Sequence, residues 1–425
     1  MLQLVNVGHK SLADYATIAT RGLMDEILRL AEPLAGKRVL ELSATAFGGG
    51  VAEIQYTLVP LMQDAGLDVE WRILRGAEDF FEATKTIHNA LQGNPQGLSD
   101  EQRATFRRYQ ELNAREIGVD EYDFVFVHDP QPVGLIDHLG GGHTKWIWRA
   151  HIDFSAPNPD VLEFLLPSLR RYDAAIFHLA SYVPKTIGLP PCVIWPPAID
   201  PLAPKNMALS PEDAAYIVDQ FGIDVARPLL AQVSRFDPWK DPLGVIDAYR
   251  LVTAERPEVQ LALVGSMAHD DPEGWDYWNQ TVAYADGDPD IFILSNLNNV
   301  GSVEVNAFQV HSAAVIQKSI REGFGLTVSE ALWKGRPTVA GNVGGIVTQI
   351  EDGRSGWLVN SAEECAAACL EVLADPPAAR ARALIGKEHV RRHFLTPRLL
   401  RDRLALFNLL LGYDTLGADL DVIAA

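Results

Sequence analysis

Short β-like runs alternate with helix-like segments along nearly the whole chain, in two separate series. The first series falls at 38–42, 69–74, 124–127, 145–148 and 174–177. The second begins at 229–233 and continues through 261–264, 291–294, 314–316 and 338–340. Strands separated by helices read as βαβ units with parallel strands. Two series predict an α/β protein of two doubly wound, Rossmann-like domains with a cleft between them. At 425 residues the chain is too long for one ordinary core and suits two domains of about 200 residues. The proline-dense connector Trp195-Pro196-Pro197-Ala198-Ile199-Asp200-Pro201 follows a strand and marks the boundary. The expected domains are 1–198 and 199–399, with a helix in 400–425 returning to the first.

Composition removes several classes of function. A net charge of −20 argues against nucleic acid or an anionic membrane as the partner. It also means that any phosphate site must be a local basic pocket in an acidic protein. No apolar run approaches the ~20 residues that span a bilayer, and the first residues lack the basic and apolar regions of a signal peptide, so a cytoplasmic location is expected. Cys192, Cys365 and Cys369 form no CxxC pair and read as packed thiols. HExxH, Cys/His ligand spacing and GxSxG are all missing, which leaves zinc and serine hydrolases without support.

Ligands of doubly wound sheets bind beyond the carboxyl ends of the strands, so polar residues and glycines placed there are the candidates for chemistry. Arg321-Glu322-Gly323-Phe324-Gly325-Leu326-Thr327-Val328-Ser329-Glu330 follows a β-like run and opens a helix. Its glycines let backbone N–H groups approach a ligand, and a helix N-terminus favours phosphate. One carboxylate lies at the turn and one inside the helix. At 1.5 Å per helical residue they are up to roughly 12 Å apart, about the reach from the sugar to the ribose of a nucleotide sugar. The alternative is a tight βα turn with two solvated glutamates.

Gly48-Gly49-Gly50-Val51-Ala52-Glu53 likewise follows a strand and opens a helix, but without the GxGxxG spacing of a dinucleotide site. Gly140-Gly141-Gly142 has the same composition, leads into a strand and reads as plain loop. Arg235 and Lys240 bracket a turn after the first strand of the second series, as a diphosphate clamp requires; solvated surface cations are the alternative. His128-Asp129 and His151 end apolar strands. His151 suits a sugar hydroxyl or a leaving oxygen and Asp129 an acceptor hydroxyl, whereas His128 and His178 read mainly as structural.

Taken together, these stretches resemble the retaining glycosyltransferases of family 4, which have the GT-B fold; Glu322 and Glu330 match that family's E-x7-E motif. Within it, Phe47 to Glu53, His128-Asp129-Pro130-Gln131-Pro132, Trp148 to Asp153, Arg235 to Pro242 and Lys85 to Gly93 look like the trehalose glycosyltransferring synthases. The resemblance implies that His151, Arg235, Lys240 and Glu322 serve the chemistry, with the two cations on the donor diphosphate. It implies donor contacts from Gly49, Gly50, Gly265, Leu297, Gly323, Phe324, Gly325 and Leu326, with Glu330 on the ribose. Glu53, Lys85, His88, Asn89 and Asp129 fall on the acceptor side.

The implied reaction joins glucose from a nucleoside diphosphate glucose to free glucose, giving α,α-trehalose with retention, and is reversible. No Arg or Lys occurs in 43–53, which favours an unphosphorylated acceptor. No obligatory cofactor is expected; Mg2+ is compatible with a diphosphate donor, but no carboxylate pair indicates it, and Asp270-Asp271 reads as exposed loop. The expected partners are the nucleotide sugar, glucose, trehalose and a second copy of the chain. Rival readings are a trehalose phosphorylase, a family 4 enzyme with another acceptor, and a nucleotide-sugar sensor without turnover.

Overall fold

The computed structural model describes residues 2–47, 49–185, 188–267, 272–415 and 420–423. Gly48 and the Asp270-Asp271 pair lie outside them. Two compact units divide the chain, Met1–Ala198 with Thr396–Ala425, and Ile199–Leu395.

In chain order the first strands are β1 (Gln3–Leu4), β2 (Arg38–Ser43), β3 (Asp68–Ile73), β4 (Phe124–His128), β5 (Lys145–Arg149), β6 (Ala174–Phe177) and β7 (Cys192–Ile194). They are followed by β8 (Leu229–Val233), β9 (Gln260–Val264), β10 (Ile291–Leu294), β11 (Ala314–Gln317), β12 (Thr338–Gly341), β13 (Trp357–Val359) and β14 (Asp421–Ile423). The first sheet has the order β1-β3-β2-β4-β5-β6-β7-β14 and the second β10-β9-β8-β11-β12-β13. Every pairing is parallel except at the two edges of the first sheet, where β1 and β14 run antiparallel to their neighbours. These edge strands, with β7 and β13, are additions to the runs expected from sequence. At two or three residues each they are too short to stand out from loop composition.

Strand side chains alternate between faces, and both faces of each sheet are covered. In the first sheet Leu40, Leu42, Val125, Val127 and Trp148 pack on one side, while Val39, Phe124, Phe126, Ile147 and Ile176 pack on the other. The helix Thr396–Leu411 brings Leu399, Leu400, Leu404 and Phe407 to that second face, and Phe407 stacks on Phe124 at 4.1 Å between ring centres. In the second sheet Leu230, Leu261 and Leu263 face one core, Ala231, Ala262 and Val264 the other. All three cysteines are buried free thiols. Among the described residues no helix is long and apolar enough to cross a membrane.

Each sheet has one place where the strand order reverses, between β2 and β4 in the first unit and between β8 and β11 in the second. Ligands of open α/β sheets gather at such switch points.

Candidate active site

In the second unit, the loops after β8 and β11 leave the sheet on either side of its switch point. Asp237 folds the first loop: its carboxylate accepts from the N–H groups of Trp239 and Lys240, both at 3.0 Å. Gln232, inside β8, donates to the Lys240 carbonyl at 2.7 Å. So fixed, Lys240 directs its ammonium to Glu322 Oε2 at 2.5 Å, and Ser319 Oγ donates to the same oxygen at 3.2 Å. The Lys240 and Glu322 side chains are only 16% and 9% exposed. Arg235 is treated differently. It is 60% exposed and pairs with Asp237 at 2.9 Å. Asp241, in the left-handed region at φ 52°, caps the helix Pro242–Glu255 and takes an ion pair from Lys318. Lys318 went unnoticed in the sequence because nothing local distinguishes it.

The glycine turn after β11 is held from behind. Gly325, at φ 83°, is the N-cap of the helix Leu326–Trp333. The Gln349 amide donates to the Phe324 carbonyl at 2.6 Å and to that of Gly325 at 3.3 Å. Gly345 N–H donates to Gly323 O at 3.1 Å, and a Cβ at Gly345 would lie 2.7 Å from Phe324 Cα. Phe324 is itself buried. The turn's shape is therefore set by protein contacts, with its N–H groups leading into the helix.

Glu330 sits deeper than a solvated glutamate would, at 2% exposure, with Lys205 on its carboxylate at 2.7 Å. Burial alone would raise it, but the Lys205 and Lys334 ammonium groups, with hydrogen bonds from Lys205 and Gln309, hold it below the usual carboxylate range. Lys334 reaches Gln309 Oε1 at 2.7 Å and Asn206 Oδ1 at 3.1 Å, and burial pushes it down to about 7. The loops that would meet a nucleotide base are tied together: Asn296 accepts from Met267 N at 2.7 Å and donates to Met267 O at 3.1 Å. Gly265 lies in this clasp, where a Cβ would strike Ser234 O and Phe236. Leu297 is exposed, and its N–H is taken by Ser295 Oγ at 3.2 Å.

In the first unit the switch point gathers charge under the sheet's carboxyl edge. Glu41 on β2 and His128 on β4 share the face of Val39 and Phe126. His128 Nε2 meets Glu41 Oε2 at 2.6 Å, and His128 Nδ1 meets His151 Nε2 at 2.8 Å. The other Glu41 oxygen binds Arg403, a residue of the returning helix, and Gln55 donates to Oε2 at 2.9 Å. Burial opposes the Glu41 charge, yet Arg403, His128 and Gln55 keep its carboxyl below the usual range. His151 and His178 are held well below the ordinary histidine value by burial and by the Arg149 guanidinium. Arg149 is wholly buried near Trp195, and among the described residues its three nitrogens have no hydrogen-bond partner.

Asp129, in the left-handed region at φ 63°, accepts from His151 N at 2.8 Å. Burial pushes its carboxyl up to about 7. Gly49, at φ 76°, and Gly50 begin the helix Gly49–Asp64, and Glu53 is exposed on its first turns. Lys85, His88 and Asn89 lie on the helix Glu78–Leu91. There His88 Nδ1 meets Gln92 at 3.2 Å and Asn89 at 3.5 Å. The structure thus brings Lys240 together with Glu322, and Asp129 together with His151. The sequence reading missed Glu41, Arg403 and Lys205. Glu41 carried a signal, since it is a charge within an apolar β-run. Among the described residues no group of three or more His, Cys, Asp or Glu side chains is arranged to hold a metal ion.

Residues 41–184 match the family model described as trehalose synthase, N-terminal domain, and 215–389 the model of glycosyl transferases group 1. The trehalose synthase of Rubrobacter xylanophilus is 60% identical over 417 residues, covering 97% of this chain and all of the relative. The chain belongs to the trehalose synthase family. It is a glycosyltransferase of the GT-B fold. The trehalose phosphorylase of Pleurotus pulmonarius is more distant, 28% identical over 84% of this chain and 55% of the relative. A structure from E. coli, described as trehalose-6-phosphate bound with UDP-2-fluoro glucose, superposes with a TM-score of 0.71. The superposition covers 87% of this trehalose synthase family member and 99% of the neighbour at 14% identity, a likeness of fold.

Proposed function

We propose that the chain is a retaining glucosyltransferase joining the glucose of a nucleoside diphosphate glucose to free glucose, giving α,α-trehalose. The observation that carries this reading is the Lys240–Glu322 pair across the switch point of the second unit, beside a glycine turn that opens a helix. An ammonium has three donors. With one on Glu322, the others suit an oxygen of the departing diphosphate, and Arg235 supplies a second cation at the loop's exposed edge. Glu322 and the N–H groups of 323–325 would take the hydroxyls of the transferred glucose.

In the first unit, Asp129 and His151 offer the polar groups that sugar hydroxyls require. The absence of Arg and Lys in 43–53 favours free glucose over a sugar phosphate. The product is supported by the full-length likeness to a trehalose synthase; the E. coli structure, 99% of which superposes on 87% of this chain, supports the fold alone.

In the proposed reaction the bond from the anomeric carbon to the phosphate oxygen breaks. A bond from the acceptor's anomeric hydroxyl forms on the same face, and its proton passes to the departing phosphate oxygen. Catalysis then rests on orientation and on stabilising the developing diphosphate charge. The test is incubation of the purified protein with glucose and, separately, UDP-, ADP- and GDP-glucose, with the disaccharide identified by NMR. A nucleotide-dependent α,α-1,1 product is expected. Trehalose cleavage that needs inorganic phosphate and no nucleotide would assign a phosphorylase instead, and no turnover with any of these would overturn the reading.

A further inference from the structure

Four buried side chains stand behind His151, and none of them was assigned a task by the chemistry above. Arg403 and Gln55 hold Glu41, Glu41 meets His128 Nε2 at 2.6 Å, and His128 Nδ1 meets His151 Nε2 at 2.8 Å. Glu41, Gln55 and Arg403 are fully buried, and His128 is 1% exposed. A carboxylate only accepts, so His128 Nε2 must carry a hydrogen and donate it. In a neutral imidazole the other nitrogen is then an acceptor, so the hydrogen in the second bond has to come from His151 Nε2. One orientation of the whole chain follows.

We propose that Glu41 and His128 are positioning residues that lock His151 in its Nε2–H tautomer, so that His151 Nδ1 is an acceptor and the sugar hydroxyl it meets must donate. The tautomer follows from this unit's own geometry. The sugar partner rests on the glucosyl transfer proposed above.

The alternative arrangement needs a protonated His128, both of whose nitrogens donate, which would turn His151 to Nδ1–H. The surroundings oppose it. Burial, with Arg403 and Arg149, outweighs Glu41 and holds His128 below the ordinary histidine value. His151 itself is faced by Arg149 from β5, by His128 from β4, by His178 after β6 and by Arg403 from the returning helix, all of which disfavour a positive charge on it. Asp129 accepts from the His151 backbone N–H and so leaves the ring to the relay.

Long-range 1H–15N spectra of histidine-labelled protein test this without any substrate, with His151 assigned from the spectrum of His151→Ala. At pH 7.5 the expected pattern is a protonated Nε2 and an unprotonated Nδ1 at His151; the reverse pattern overturns the proposal. In His128→Phe, and in Glu41→Gln where circular dichroism shows a native fold, the tautomers should mix. An unchanged His151 in a folded His128→Phe would show that the relay does not set it. Turnover reads the sugar side. Nucleotide sugars with fluorine replacing one glucose hydroxyl at a time accept but cannot donate there, and one of them should lose about tenfold in kcat/KM, the weight of about 1.4 kcal/mol, in wild type but not in His151→Ala. A series in which every analogue loses equally in both proteins would remove a donating sugar hydroxyl from Nδ1. A protein with the expected tautomer and no turnover with any nucleotide sugar would sink the glucosyl transfer while leaving the relay in place.

Discussion

Lys240 reaches across 82 positions of sequence to place its ammonium 2.5 Å from Glu322 Oε2. The pair joins the loops on the two sides of the second sheet's switch point, so a largely buried ammonium and a carboxylate are set side by side. Neither side chain is free to drift, because Asp237 and Gln232 hold the Lys240 backbone and Ser319 holds Glu322.

Replacing Lys240 by alanine should therefore remove roughly 2–5 kcal/mol of transition-state stabilisation, the range for truncating one partner of a buried charge pair. Steady-state kinetics with nucleoside diphosphate glucose and glucose measures it. Arg235→Ala, at an exposed position, should cost less. Equal turnover in wild type and Lys240→Ala would remove Lys240 from the chemistry.

The Glu41–Arg403 pair makes a prediction about stability. Both side chains are fully buried, and Arg403→Met leaves the carboxylate without its main counter-charge. A loss of about 3–5 kcal/mol is expected on breaking a buried pair from one side. The double variant Glu41→Gln, Arg403→Met should recover part of it, since no ion is then left alone. Urea denaturation of the four proteins completes the cycle, and additive losses would contradict the pairing.

Acidification should weaken the first unit. His128, His151 and His178 are all held below the ordinary histidine value, chiefly by burial. Below pH ~6.5 the unfolded chain binds protons that the folded chain refuses, so stability present above that pH is lost as it falls. Asp129, pushed up to about 7, has the opposite sign, because the folded state keeps a proton that the unfolded one has released. Three groups against one give a net slope on the order of 2 kcal/mol per pH unit. Urea midpoints at pH 7 and 5.5 measure it, and a midpoint that does not fall would exclude neutral buried histidines.

Gly345 should not tolerate a side chain. A methyl group there meets Phe324 Cα at 2.7 Å and Gly323 O at 2.8 Å, and both belong to the glycine turn. Gly345→Ala is expected to raise KM for the nucleotide sugar, with less effect on KM for glucose. Gly22→Ala is the control: nothing lies within 4 Å of its added carbon, and stabilisation by up to about 1 kcal/mol is expected on entropic grounds. Matching effects in the two variants would show that the turn is not what Gly345 protects.

The βαβ series was legible because apolar runs such as 124–127 and 261–264 are buried on both faces of a sheet and keep few polar residues. The glycine turn was legible because Gly325 needs a positive φ at a helix start. What escaped notice depends on distance in sequence. Arg403 finds Glu41 only when the last helix returns, and Lys205 finds Glu330 only after the second sheet is built. No local pattern encodes either meeting. His128 read as structural, and its burial agrees; its contact with His151 shows that a structural histidine can still set what its neighbour presents. Edge strands β1 and β14 were illegible for a simpler reason, since two or three residues carry no period.

The returning helix also imposes an order on synthesis. Glu41 leaves the ribosome 362 residues ahead of Arg403. At about 5–20 residues per second, the carboxylate waits on the order of 20–70 s for its partner. Throughout that interval the face of the first sheet that holds Phe124 lacks the helix carrying Phe407, while every strand of the second sheet has already emerged. The unit that begins the chain is thus the last to be finished, and a nascent chain halted before Thr396 would present that apolar face to whatever chaperone is nearest.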